Sequence, residues 1–188
     1  PKFLAALDAK TGRPLWRTSD PKLLDAIGRH DKAQNASLGY SSTTYAKCSD
    51  QAIYFAGPQR HNLVAVSAET GKLLWQKGLS GAGYQNAAPV VWDDLILANG
   101  ADMRLLDLET GATRHTVPCG READRFLRSR RQALTGSSTP IIAGDLAFFG
   151  HDDTSVRAVN RRGEVAWEHR LGTPIKTSPV ITGNLLLV

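Results

Sequence analysis

Three sets of residues in this 188-residue chain have types and spacings that could do chemistry. His151, Asp152 and Asp153 set an imidazole beside two carboxylates, ordinary ligands for a divalent cation. Glu122 and Asp124 offer paired carboxylates of the kind that serve acid/base catalysis. Tyr84-Gln85-Asn86, Ser137-Ser138 and Lys176-Thr177 are polar segments lying just ahead of apolar runs, with the donors and acceptors that hold a ligand. Cys48 and Cys119 stand 71 positions apart without companions at metal-ligand spacing, so they indicate neither a metal site nor a compartment.

Local sequence gives the first two sets a plainer reading. Gly150 precedes His151-Asp152-Asp153, and Asn99-Gly100-Ala101-Asp102 is its counterpart one unit earlier, so both read as tight turns between strands and no metal is assigned. Glu122 with Arg125 and Asp124 with Arg128 fall at helical i, i+3 and i, i+4 spacing, which predicts surface ion pairs and no catalytic residue. Arg121, Arg125, Arg128, Arg130 and Arg131 gather in that segment, while the other basic residues are scattered. A net charge of +5 spread in this way does not form the continuous basic face that nucleic acid needs. With 41% hydrophobic and 22% charged residues the chain has a globular composition, and no apolar run approaches the roughly 20 residues of a bilayer span.

The elements that must position these residues come from a repeated phrase. ALDAKTGRPLW (Ala6 to Trp16) returns as AVSAETGKLLW (Ala65 to Trp75), as LLDLETGATRH (Leu105 to His115) and, one residue shorter, as AVNRRGEVAW (Ala158 to Trp167). An alternating apolar strand, an Asx or Ser, a glycine and a returning aromatic predict a β-hairpin. The aromatic would lay a ring over a neighbouring unit. A second hairpin precedes it in the later units: PVVWDDLIL from Pro89, PIIAGDLAFF from Pro140 and PVITGNLLLV from Pro179, with a degenerate copy at Ser49 to Gly57.

Two hairpins per unit make four strands, and turn glycines 59, 40 and 52 residues apart suit the blades of an all-β propeller. The expected organisation is a single segment over 1–188: a half-blade at 3–18, blades at 48–77, 88–117 and 138–170, and a half-blade at 177–188. Insertions fall at 20–45 and 119–136, with helix expected only at Pro21 to Arg29 and Arg121 to Gln132. That is too little helix for a parallel α/β fold. WD40 repeats are set aside because no unit carries Trp-Asp at the end of its third strand. The ring is expected to be incomplete, because the chain opens on one strand pattern and stops inside another, with no signal peptide in its first residues. The half-blades then present strand edges open to self-association.

The phrase Ala-x-Asp-x-x-Thr-Gly-x-x-x-Trp resembles the tryptophan-docking motif of the PQQ-like repeat family, which includes quinoprotein alcohol dehydrogenases, the outer-membrane assembly lipoprotein of the BAM complex and repeat modules fused to bacterial kinases. Ala6, Asp8, Thr11, Gly12 and Trp16 match throughout. Ser67 replaces the aspartate beside Ala65, Thr70, Gly71 and Trp75, and Asp107, Thr110 and Gly111 keep only the turn. The resemblance implies a propeller of four-stranded antiparallel blades and an extracytoplasmic, bacterial setting. It also implies that ligands sit near the ring axis, where first strands begin, which makes Tyr84, Gln85, Asn86, Ser137, Ser138, Lys176 and Thr177 candidates for a channel lining. An enzyme of this family would bring PQQ and calcium, a catalytic aspartate and a disulfide between adjacent cysteines; that cysteine pair is absent from this sequence.

The leading expectation is a non-catalytic scaffold, without cofactor, that binds a protein or peptide on its ring face. The alternatives are a fragment of a PQQ-dependent alcohol dehydrogenase and the sensor domain of a larger signalling protein.

Overall fold

A computed structural model describes residues 3–27, 45–56, 62–79, 88–98, 102–119, 138–175 and 177–188. Three four-stranded antiparallel meanders carry most of it. The first joins β3 (Tyr45–Cys48), β4 (Ala52–Ala56), β5 (Asn62–Ser67) and β6 (Leu73–Gly78). The second joins β7 (Val90–Trp92), β8 (Leu95–Ala98), β9 (Met103–Asp107) and β10 (Thr113–Val117). The third joins β11 (Ile141–Ala143), β12 (Leu146–Gly150), β13 (Ser155–Asn160) and β14 (Val165–Arg170). Two further hairpins stand as two-stranded sheets: β1 (Leu4–Leu7) with β2 (Pro14–Thr18), and β15 (Val180–Thr182) with β16 (Leu185–Leu187).

Local chemistry accounts for the hairpins. Pro89, Pro140 and Pro179 stand just before β7, β11 and β15, each an outer strand of its sheet, where the missing N–H is tolerated. Asp8 Oδ1 accepts the N–H of Lys10 (3.0 Å) and Thr11 (2.7 Å) and the Thr11 hydroxyl (2.8 Å). Asp107 Oδ1 makes the same set with Glu109 and Thr110. Bonds from the Thr110 side chain and backbone, with Arg114 beyond them, hold the Asp107 carboxyl at about 2. Ser67 keeps the contact to Thr70 N–H at 3.1 Å. The shorter fourth copy closes differently, with Gly163 N–H donating to Asn160 O, three residues back, where Gly12, Gly71 and Gly111 reach four back.

Stacking of neighbouring units builds the core. Leu63 and Ala65 of β5, with Tyr54 and Ala52 of β4, pack against Ile96, Ala98 and Leu106 of the next meander. Leu97, Met103 and Leu105 on that sheet's other face meet Ala147, Phe149 and Val159 of the third. Adjacent residues such as Leu105 and Leu106 thus point to opposite faces that are both buried, which is why these strands read as continuous apolar runs.

The returning aromatic joins the units. Trp16 lies over Gly71 of the first meander, and its indole N–H donates to Ala68 O at 2.7 Å. Trp75 lies over Gly111 of the second and donates to Leu108 O at 3.3 Å. His115 takes the same seat at Gly163 of the third. A Cβ on Gly71 or Gly111 would fall 2.6 Å from the indole, and both glycines hold φ near +70°, so the seat demands glycine twice over. Within its own sheet Trp75 pairs with Ala65, which pairs with Tyr54, and the two rings meet over the small alanine with centroids 5.9 Å apart. Phe148, Ala158 and Trp167 repeat that row in the third meander, also at 5.9 Å.

The first expected insertion helix forms as α1 (Pro21–Ile27), the end of the expected span lying outside the described residues. Asp20 caps it through Lys22 N–H at 2.9 Å with proline in first position, and Leu23, Ala26 and Ile27 pack on Val64 and Val66. The expected helix at Arg121 to Gln132 lies outside the described residues.

Candidate functional site

Hydrogen bonds tie together the segments that lead into first strands. Ala88 N–H, ahead of β7, donates to Thr139 Oγ1, ahead of β11, at 3.0 Å. Ser138 is buried and fastened to the end of β12, its N–H to Gly150 O (2.8 Å) and its Oγ accepting Gly150 N–H (2.9 Å). Ile175, ahead of β15, donates its N–H to His151 O at 3.1 Å, and its side chain lies so close that a Cβ on Gly150 would sit 2.2 Å from it. Of the seven lining candidates, Ser138 is therefore built into the support and Thr177 is exposed. Tyr84, Gln85, Asn86, Ser137 and Lys176 lie outside the described residues.

Behind this lead-in lies a buried polar cluster in the turn from β12 to β13. His151, Asp152, Asp153, Ser155 and Arg157 are each less than a tenth exposed. Asp153 accepts Arg157 Nη2–H at 2.6 Å, Ser155 N–H at 3.1 Å and the Ser155 hydroxyl. Arg157 Nε–H goes to Glu168 on β14 at 2.9 Å. Burial alone would raise the Asp153 pKa; the hydrogen bonds from Arg157 and Ser155 outweigh it and hold the carboxyl well below the usual range. His151 Nδ1 lies 3.0 Å from Asp153 N–H, which can only donate, and 3.3 Å from Asp153 Oδ1. A neutral ring therefore accepts at Nδ1 and carries its proton on Nε2. Among the described residues His151 Nε2 and one Arg157 terminal nitrogen are buried without a hydrogen-bond partner. The arrangement orders a turn: Thr154, at φ +73°, returns its N–H to His151 O at 3.1 Å.

Cys119 is buried where the second and third meanders meet, its N–H bonded to Asp102 Oδ1 at 2.9 Å. Burial pushes its thiol up to about 11, so it stays protonated at neutral pH and is a poor nucleophile. Cys48 is exposed, and both cysteines are free. Asp94 in the β7–β8 turn accepts hydrogen bonds from Arg114 and from Arg161 in the next meander's turn, and Arg161 also pairs with Asp93 at 3.0 Å. These charges are largely exposed, so they align neighbouring turns with small net energy.

Sequence reasoning missed Arg157, Glu168 and the Asp94–Arg161 pair. Ser155 and Arg157, alternating inside an otherwise apolar strand, were the available signal, since a buried charge requires a partner. Among the described residues no helix is long and apolar enough to cross a membrane.

Two comparisons of sequence and one of structure agree with this geometry. Residues 2–187 match the PQQ_2 family model, described as outer membrane protein assembly factor BamB. Over 172 residues the chain is 24% identical to outer membrane protein assembly factor BamB of Yersinia pestis, covering 90% of this chain and 39% of that protein. It is 28% identical to that of Moranella endobia (strain PCIT), again covering 90% of this chain and 40% of the other. The chain thus spans about two fifths of the length of the curated relatives it matches. In fold it resembles the quinohemoprotein alcohol dehydrogenase ADHIIG of Pseudomonas putida HK5, with TM-score 0.61 and 19% identity, covering 92% of this chain and 31% of that one. Four-stranded blades joined by aromatic-on-glycine seats, matched by the family model along nearly the whole sequence, make this chain a β-propeller member of the PQQ-like repeat family of outer membrane protein assembly factor BamB.

Proposed function

We propose that this chain is a non-catalytic propeller segment that binds a protein or peptide, acting outside the cytoplasm of a bacterium. The match of residues 2–187 to a family described as an assembly factor carries this reading. The local chemistry supports it. The buried polar groups between β12 and β13 are engaged chiefly in shaping a turn, and Cys119 is a protonated core thiol. The surface offered to a partner is the face where the first-strand lead-ins converge, at half-buried Thr139 and exposed Thr177, with Ser138 and Ile175 buried as its support.

The second reading, a segment of a PQQ-dependent alcohol dehydrogenase, has the fold likeness in its favour. Against it, Cys48 in β3 and Cys119 beyond β10 lie apart and both are free, so this segment does not itself carry the adjacent-cysteine disulfide that the resemblance implies for that enzyme type. Calorimetric titration with PQQ, with and without calcium, separates the two readings. No binding heat from folded protein is expected; tight calcium-dependent binding would overturn the scaffold reading.

A further inference from the structure

The first strands of neighbouring meanders approach one another, β3 with β7 and β11 with β15, and Ala88 ahead of β7 is bonded to Thr139 ahead of β11. One equivalent position on these strands can be followed through the repeat by its cross-strand partner. Lys47 opposes Tyr54, Val90 opposes Leu97, Ile141 opposes Phe148 and Val180 opposes Leu187. Three of the four are branched aliphatics; the fourth is an exposed lysine. Tyr54, directly across from Lys47, belongs to the core packed against the second meander, so Lys47 stands on the face turned to that meander.

The charge around it is one-sided. In a chain with 22% charged residues, the four first strands and the described residues leading into them, 88–89, 138–140 and 177–179, hold one charged side chain, Lys47. The carboxylates next along the chain, Asp50, Asp93 and Asp145, stand in the turns that follow the first strands. Among the described residues no carboxylate is paired with Lys47. An aliphatic side chain serves packing at the other three equivalent positions, so what the lysine adds is a cation on an otherwise uncharged surface.

We propose that the converging first strands bind an acidic segment of a partner protein, Lys47 taking a carboxylate while apolar side chains of the segment rest on half-buried Val90 and Ile141. This deepens the reading of the chain as a binder of protein or peptide and rests on it. The lone cation selects an acidic segment and disfavours a basic one.

Fluorescence anisotropy of a fluorescein-labelled peptide of alternating valine and glutamate, titrated at low salt with the whole 188-residue chain, tests this. Lys47→Val installs the side chain found at positions 90 and 180, so its circular dichroism should match the wild type. Lys72→Ala removes another exposed lysine, in the β5–β6 turn away from the lead-ins, and reports general attraction to a chain of net charge +5. Lys47→Val is expected to weaken binding about fivefold, the scale of one exposed ion pair. Lys47→Arg should retain binding, and Lys72→Ala should leave it unchanged. Wild-type protein that ignores the acidic peptide, or Lys47→Val and Lys72→Ala variants that weaken it equally, would overturn the proposal. Either result leaves the scaffold reading to the PQQ titration, which tests it separately.

Discussion

A single atom decides whether one repeat can seat the next. Gly12 and Gly111 share a φ of about +70°, but only Gly111 lies under an indole, 2.6 Å from where a Cβ would stand. Among the described residues alanine at Gly12 meets backbone strain alone, about 1–2 kcal/mol. At Gly111 the same strain is joined by a clash with Trp75, adding roughly 1–3 kcal/mol for an overpacked contact. Urea unfolding of dilute protein should therefore place Gly111→Ala clearly below Gly12→Ala; equal midpoints would mean that the seat does not bear on stability. The motif glycine is thus conformational at one position and both conformational and steric at others. Sequence alone could identify the glycine and the tryptophan, because turn chemistry is local. It could not say which tryptophan sits on which glycine, since Trp75 and Gly111 meet only when whole blades stack.

At the level of the element, the turn between β12 and β13 shows where legibility stops. Gly150 and the polar triplet His151-Asp152-Asp153 predicted a tight turn, and one forms there. Nothing local indicated that Asp153 would be buried against Arg157, or that Arg157 would reach Glu168 on the next strand. Neighbouring blades decide that, by covering both faces of β13. Likewise the Asp94–Arg161 pair spans 67 positions and exists only because successive turns lie side by side. The buried ion pair gives a sharp expectation. Asp153→Ala strands a guanidinium in the interior, where breaking such a pair costs about 3–5 kcal/mol. Glu168 remains as a partner, which places the loss toward the lower end. Arg157→Met added to Asp153→Ala removes the stranded charge and should restore much of the stability in urea unfolding. A double variant as unstable as the single would show that Asp153 acts by capping Ser155 and not by balancing Arg157.

For the molecule as a whole, the repeat means that one chemical device recurs and its pH dependence accumulates. Asp8, Asp107 and Asp153 each accept backbone and side-chain bonds in a blade turn, and all three carboxyls are held below their ordinary values in the folded chain, Asp107 at about 2. A carboxyl with a depressed folded pKa binds more protons when unfolded, so its contribution is fully present above the unfolded value near 4 and is lost as pH falls through the folded one. The melting temperature should therefore fall steadily between about pH 4 and pH 2 as the turn carboxylates become protonated. Asp107→Asn isolates one share of this slope: the amide oxygen still accepts the Glu109 and Thr110 bonds, while the charge facing Arg114 is gone. Its melting temperature should begin lower at pH 6 and fall less between pH 4 and pH 2. Because blades are coupled through their neighbours, a turn weakened by acid should loosen the aromatic seated on it. Tryptophan fluorescence is then expected to shift in step with the loss of β-sheet circular dichroism, whereas sheet loss with unchanged fluorescence would show that the turns and the aromatic seats fail independently.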